Sequence, residues 1–327
     1  MTKVVVAEVT VSADRNLNIE RDILGADVEL VHHTYDGCNG DLISVCQDAD
    51  VILTDYAPLT RSVLEQLQQC KLVSVSATGY DCVDISAAAD CKISVCAVDE
   101  YCTDEVADHS ILLMLALCRR LPEYHDQVQH QHRWQFDSLS GLARLRNMTL
   151  GIIGFGRIGQ AVARRGRGFG LTTIAHDPYV DSEAASAWGV TLCDLPTLLA
   201  ESDIISLHCS LSADNQHLLD AGAFRRMSKK PILINCARGG LIDEAALVVA
   251  LDTELISGAG LDVLDDESPD LGTSPLVGRD NVILTPHMAF YSDTSIQENR
   301  RISASNIRHF LDGEHSGVKR YIHQAKS

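Results

Sequence analysis

Three polar residues set the chemistry to look for: Arg238 in NCARGG, Glu267 in LDVLDDESP and His287 in ILTPHMAFYS. Their types suit one reaction. Hydride transfer to a ketone needs a proton donor at the forming alkoxide, and an imidazolium such as that of His287 supplies one near neutral pH. A carboxylate beside the ring favours its charged form and fixes its tautomer, and Glu267 is the candidate. A guanidinium such as that of Arg238 clamps the carboxylate of a 2-keto acid and polarises its carbonyl. Taken singly, each residue has a plainer reading. His287 is one of 13 histidines, Arg238 alone is an ordinary ion-pair partner, and Glu267 follows a run of acids. The catalytic reading rests on the set, in order, behind a dinucleotide loop.

That loop is LGIIGFGRIGQAVARR, with Gly154, Gly156 and Gly159 in G-x-G-x-x-G spacing. A strand pattern precedes it and an amphipathic helix pattern follows. In that setting the first glycine permits a tight turn, the second lets backbone approach a pyrophosphate, and the third packs helix on strand. The helix N-terminus adds unpaired N–H groups and the positive end of its dipole. The next strand pattern, LTTIAHD, ends in Asp177, 18 residues beyond Gly159, a spacing that fits the acid on an adenosine ribose diol. Pro178 and Tyr179 follow it where an arginine would suggest a 2′-phosphate, so the cofactor reads as NAD.

The elements around these residues alternate. VVVAEVTV, VELVHH, VILTDY, KLVSVSATG and ISVCAV read as strands, with helical segments such as SVLEQLQQC between them. A second alternation runs from Met148 through TLGIIGFG, LTTIAHDPY, DIISLHCS, PILINCARGG, SGAGLDVL and NVILTPH. Strand–helix alternation predicts an α/β class with parallel sheets. Between the two sets, Thr103-Asp104-Glu105 reads as the capped start of a helix, VADHSILLMLALCRRL, crossing between domains. Leu121 to Leu145 is polar and reads as a surface arm or subunit contact, and a last helix is expected from Thr294 to Leu311. In an open parallel sheet the carboxyl ends of strands converge on the cofactor crevice. Arg238, Asp262, Glu267 and His287 are therefore expected to gather on the nicotinamide side.

The bulk properties narrow the classes. The chain has 327 residues, 46% hydrophobic and 22% charged, enough apolar mass for two medium cores. A net charge of −18 argues against non-specific nucleic-acid or anionic-membrane binding, since both want a basic face. No apolar run reaches membrane-span length, and MTKVVVAEVTV reads as a first strand and not a signal peptide. The 11 cysteines include no C-x-x-C pair, so they read as reduced thiols in a cytoplasm, with no metal site.

These motifs resemble those of the D-isomer-specific 2-hydroxyacid dehydrogenase family, over nearly the whole chain and most specifically from about Leu150 to Ser292. In that family the catalytic Arg lies in N-x-A-R-G-G, the Glu closes L-D-V-x-E-x-E-P and the His follows T-P. The resemblance implies those roles for Arg238, Glu267 and His287. It implies NAD contacts from Gly154, Gly156, Arg157, Ile158 and Gly159, from Asp177, from Asp262 on the carboxamide, and from Cys102, Thr103, His208, Cys236 and Ala237. SATGYDCVD resembles the family's substrate loop, so backbone N–H groups of Ala77, Thr78 and Gly79 are expected to face a carboxylate, with Tyr56, Arg238 and Phe290 as further substrate contacts. The implied architecture is a Rossmann NAD-binding domain over 99–292 and a flavodoxin-like substrate domain built from 1–98 and 293–327. A homodimer through the Rossmann domain is implied as well.

The wording also departs from the family's. Val98-Asp99 stands where V-P is common, Cys102 where Asn or Ser is common, and Ser268 is inserted before Pro269. A-T-G-Y is similar to some glycerate (hydroxypyruvate) dehydrogenases. LHCSLSADNQHLL and PHMAFYS are similar to the C-terminal binding proteins, corepressors that keep this fold and triad, with Phe290 in place of their Trp. The expected function is an NAD-dependent dehydrogenase for a small 2-keto or D-2-hydroxy acid. The alternatives are an NADH-sensing, corepressor-like binding protein and a phosphoglycerate dehydrogenase. The absence of a long tail and of a basic patch favours the enzyme. Arg61 is the single basic residue near the loop after Asp55, thin provision for a phosphate.

Overall fold

The computed structural model describes residues 1–9 and 15–325. The chain divides into two compact units, Met1–Tyr101 with Ser292–Ser327, and Cys102–Tyr291. The first unit opens with β1 (Thr2–Glu8), α1 (Asn18–Leu24), β2 (Val28–Thr34), α2 (Asn39–Cys46), β3 (Val51–Thr54), α3 (Arg61–Leu64), β4 (Leu72–Val75), α4 (Ile85–Asp90) and β5 (Ser94–Ala97). The second unit holds α5 (Thr103–Cys118), α6 (Leu121–Gln129), β6 (Thr149–Ile153), α7 (Arg157–Gly168), β7 (Thr172–His176), α8 (Ser182–Ala187) and β8 (Thr191–Leu192). It continues with α9 (Leu195–Glu201), β9 (Ile204–Leu207), α10 (Ala221–Arg226), β10 (Ile232–Asn235), α11 (Glu244–Asp252), β11 (Gly258–Leu261) and β12 (Val282–Leu284). The chain then returns to the first unit with α12 (Asp293–Leu311) and β13 (Tyr321–His323).

Strand order in the first sheet is β13-β5-β4-β3-β1-β2, parallel except for β13, which runs antiparallel to β5. This is the flavodoxin-like order. The second sheet runs β12-β11-β10-β9-β6-β7-β8, with every pairing parallel, the Rossmann order. The central strands are buried on both faces, which explains their continuous apolar runs. In β1, Val4 and Val6 pack with Leu24, Ala304 and Ile307, while Val5 packs with Ile52, Val73 and Val95 on the opposite face. Each of the valine, leucine and isoleucine side chains among them stabilises the fold by about 1.5–3 kcal/mol through burial.

Part of the acidic excess is structural. Five helices, α4, α8, α9, α10 and α11, begin at an Asp whose side chain accepts from an N–H of the first turn. Such a cap contributes about 0.5–2 kcal/mol. For Asp220 the cap hydrogen bond from Ala223 outweighs slight desolvation and lowers the carboxyl's pKa.

Several elements differ from the sequence expectation. The helix expected over SVLEQLQQC ends at Leu64. Beyond it Gln66 donates to Val63 and Leu67 to Leu64, tight turns that carry the buried Leu67 and Cys70 sideways into the core. Helix α5 is capped by Cys102, whose carbonyl accepts from Val106, so Thr103 is already helical and not its cap. That helix lies wholly in the second unit, packed on α7, β10 and β11, so it is not a crossing element. Strand β1 ends at Glu8, and Thr10 and Val11 of its expected end lie outside the described residues. The polar arm contains helix α6. Among the described residues, no helix is long and apolar enough to cross a membrane.

Candidate active site

The glycine loop is shaped by close approach. Gly154 has φ +91°, and a Cβ there would lie 2.5 Å from the backbone nitrogen of Cys209. A Cβ on Gly159 would collide with the Gly154 carbonyl, so the start of α7 seats directly on the loop. Gly156 is different: its missing Cβ would meet nothing within 4 Å. It is the N-cap of α7, so its open corner lies at the start of the helix, before Arg157, Ile158 and Gly159. Asp177, just past β7, accepts from Phe155 N–H at 2.8 Å through one oxygen and from Tyr179 N–H at 2.8 Å through the other. The carboxylate is thereby fixed beside the loop and keeps lone pairs for further donors. An open glycine corner, a helix N-terminus and a held acid fit a dinucleotide's pyrophosphate and ribose.

His208, at the end of β9, borders the same loop through its backbone. Its Nε2 meets Ser206 Oγ at 2.7 Å, while its Nδ1 is enclosed with no partner among the described residues. Burial pushes its pKa down to about 3, so the ring is neutral at physiological pH. Cys236 follows β10, and burial pushes its thiol up to about 12, which makes it inert as a nucleophile. Cys102 is buried at the start of α5, with Thr103 beside it as the first helical residue.

Arg238, Asp262, Glu267 and His287 are linked by a closed ring of contacts within the second unit. Asn235, fully buried, donates its side chain to the Arg238 carbonyl at 2.9 Å and accepts from Ala237 N–H at 3.0 Å, fixing the turn that carries the guanidinium. Its own carbonyl accepts from Asp262 N–H at 2.9 Å. The Asp262 carbonyl accepts from His287 N–H at 2.8 Å, and His287 Nδ1 lies 2.7 Å from Glu267 Oε2. The ring closes because Gly239 has no Cβ: one would overlap the Leu264 carbonyl, which packs the Glu267 segment onto the Arg238 turn.

Asp262 is 1% exposed. One of its oxygens accepts from Thr285 Oγ1 at 2.5 Å and Met288 N–H at 2.9 Å, the other from Ala289 N–H at 2.8 Å. His109, on α5, supports Thr285 Oγ1 at 3.0 Å. These bonds hold His287 at φ +49°, a conformation a β-carbon disfavours. The Phe290 ring stands edge-on to the imidazole, centroids 6.0 Å apart. Asn235, Thr285 and His109 were missed in the sequence. Asn235 and Thr285 flank motif residues and were within reach, whereas His109 lies far away along the chain.

In the first unit, the segment Ser76 to Gly79 leaves β4 with three successive carbonyls each held by a donor. Ser76 O accepts from Asn299 Nδ2 at 2.7 Å, Ala77 O from Val98 N–H at 3.2 Å, and Thr78 O from Arg320 Nη1 at 2.9 Å. The N–H groups of Ala77, Thr78 and Gly79 donate to no acceptor among the described residues. Tyr56 is 39% exposed, its N–H held by Asp55 Oδ1 at 2.5 Å. Arg61 is engaged by Asp90 at 2.8 Å. No cluster of metal-ligating side chains occurs among the described residues.

Comparison with known proteins places this geometry among relatives. Residues 111–289 match the family model described as D-isomer specific 2-hydroxyacid dehydrogenase, NAD binding domain. A hydroxypyruvate reductase of Blautia hydrogenotrophica is 34% identical over 278 residues, covering 84% of this chain and 85% of its own. A D-3-phosphoglycerate dehydrogenase of Methanocaldococcus jannaschii is 36% identical over 276 residues, 84% of this chain and 52% of its own, so the chain spans about half of that relative. Among solved structures, a D-lactate dehydrogenase from Aquifex aeolicus, complexed with NAD and lactic acid, superposes with a TM-score of 0.88 at 29% identity, covering 97% of this chain and 98% of its own.

Proposed function

The chain belongs to the D-isomer-specific 2-hydroxyacid dehydrogenase family, and from that premise we propose that it interconverts a small 2-keto acid and its D-2-hydroxy acid with NAD. The observation that carries this reading is the 2.7 Å contact between His287 Nδ1 and Glu267. A carboxylate on Nδ1 sets the tautomer and orients the ring, so the proton that moves is the one on Nε2. NAD(H), held by the residues of the second unit named below, would supply or take up the hydride. His287 donates a proton to the oxygen of the reduced carbonyl and takes it back in the reverse direction. Arg238 binds the substrate carboxylate and polarises the carbonyl. Amides of Ala77, Thr78 and Gly79 hold the carboxylate, and Tyr56 and Phe290 contact the rest of the substrate.

The second unit is the proposed NAD-binding domain and the first the substrate domain. Gly154, Gly156, Arg157, Ile158 and Gly159 take the pyrophosphate, Asp177 the ribose diol and Asp262 the carboxamide. Cys102, Thr103, His208, Cys236 and Ala237 are further proposed contacts. An unphosphorylated substrate is supported by Arg61, which is already paired with Asp90. A homodimer is supported by the exposed Trp134 and Phe136 of the arm, each 90% exposed. A cytoplasmic location accords with the free cysteines.

The test is NADH oxidation by the purified protein across glyoxylate, hydroxypyruvate, pyruvate, phosphohydroxypyruvate and bulkier keto acids, with His287→Ala beside it. Turnover on one class, reduced about 10²–10⁴-fold in the variant, supports the reading. Tight NADH binding with no turnover on any keto acid would replace it with the sensor reading.

A further inference from the structure

We infer that Arg320, on the returning C-terminal segment, is a positioning residue that aims the backbone amides of the Ser76–Gly79 loop at the substrate carboxylate, with Asn299 as its counterpart on α12. The inference rests on the proposed role of that loop and goes beyond it, to what fixes its direction.

The argument is geometric. A peptide unit is planar and trans, so the C=O of one residue and the N–H of the next point in opposite directions. Holding a carbonyl from one side therefore aims the following amide to the other. The Asn299 bond to Ser76 O aims the amide of Ala77. The Val98 bond to Ala77 O aims that of Thr78. The Arg320 bond to Thr78 O aims that of Gly79. Each of the three donors is thus fixed in direction by the clamp on the carbonyl before it, and backbone N–H groups held in this way are the kind that collect an anion. Two of the three clamps are side chains, and both come from the last part of the chain.

The Thr78–Gly79 peptide depends most on its clamp. Glycine restricts its own backbone least, so without Arg320 this unit rotates most readily and turns a carbonyl toward the anion in place of an N–H. The guanidinium is itself located by Tyr80, whose ring centroid lies 5.7 Å from it. Arg320 is not required to fasten β13 to its sheet. That strand pairs with β5 through Tyr321 and His323, and the Arg320 backbone carbonyl accepts from Ala97 N–H at 3.0 Å whatever the side chain.

The test compares wild type with Arg320→Met, which keeps an apolar stem against Tyr80 and removes the donors, and with Arg320→Lys, which restores one. KM for the accepted keto acid, kcat, and the Kd values of oxamate and NADH are measured for each. The expected result is a roughly tenfold rise in keto-acid KM and oxamate Kd for Arg320→Met, about the loss of one charge-assisted hydrogen bond. NADH Kd and Tm stay at wild-type values, kcat changes by less than about threefold, and Arg320→Lys recovers part of the loss. If Arg320→Met does not fold, Asn299→Ala decides by the same signature. Keto-acid KM and oxamate Kd unchanged beside an active wild type overturn this inference alone, as does a loss that NADH Kd and Tm share. A wild type that neither turns over keto acids nor binds oxamate overturns the proposed function and this inference together.

Discussion

The backbone of His287 hangs from Asp262: its N–H reaches the Asp262 carbonyl at 2.8 Å, while the Asp262 carboxylate holds Thr285, Met288 and Ala289 around it. One buried acid thus fixes both ends of a strained segment. Asp262→Asn exchanges an acceptor for a donor facing N–H and O–H groups, at about 1–3 kcal/mol per group left unsatisfied. The expected outcome is a lower urea midpoint together with a fall in kcat. Unchanged kcat in a folded variant would show that His287 keeps its place without this support.

The role proposed for Glu267 lies in its contact with the His287 ring, and its side chain, 56% exposed, adds little to the core. Glu267→Gln is expected to leave Tm within about 1 °C, because surface substitutions usually change stability little. If Glu267 has the proposed role, its loss should lower kcat by about 10²–10⁴-fold with NADH affinity intact. Equilibrium NADH titration beside steady-state rates separates the two quantities.

Two glycines of one loop are expected to fail differently. Gly156→Ala adds a methyl where nothing lies within 4 Å, so Tm should hold while NADH Kd rises about tenfold or more. Gly159→Ala drives a methyl into the Gly154 carbonyl and should cost about 1–3 kcal/mol of stability. Thermal melts and NADH titrations of both variants check the contrast. A Gly156→Ala variant with unaltered NADH affinity argues against a pyrophosphate at that corner.

Acid stability should depend on Glu20, fully buried between Arg15 and Arg300. Burial alone would raise this carboxyl's pKa, but hydrogen bonds from Arg300 and then Arg15 outweigh it, and the net shift is downward from 4.5. A carboxyl with a depressed folded pKa is protonated more readily in the unfolded chain, so its stabilisation is complete above about 4.5 and lost as pH falls through the folded value. Glu20→Gln should therefore be less stable at pH 7, by roughly 3 kcal/mol for a broken buried pair. The gap from wild type should narrow below pH 4.5. A gap that stays constant down to pH 3 would mean the charge contributes nothing.

Most of the architecture was legible because it rests on local signals. Buried parallel strands such as Val51–Thr54 are short runs rich in β-branched residues, and the glycine spacing announces its own turn and helix. What stayed hidden depends on distance along the chain. Nothing local marks His109 as the support of Thr285, or Arg320 as a partner of Thr78. Strand β13, three residues on a sheet edge, is too short to carry a pattern. The second half of SVLEQLQQC has helix-forming residues, yet burial of Leu67 and Cys70 overrides that preference.

Because the first unit is closed by α12 and β13, its assembly is out of step with its synthesis. During translation β1 to β5 emerge first, but Ala304 and Ile307, which complete one face of their core, come only after the whole second unit. At ~5–20 residues per second that is a wait of about 10–40 s with an apolar sheet face only partly covered, by α1. The second unit, continuous from Cys102 to Tyr291, is free to fold in the interval. A nascent chain stalled before Asn299 would thus carry a finished glycine loop and a Ser76–Gly79 segment lacking both of its side-chain clamps.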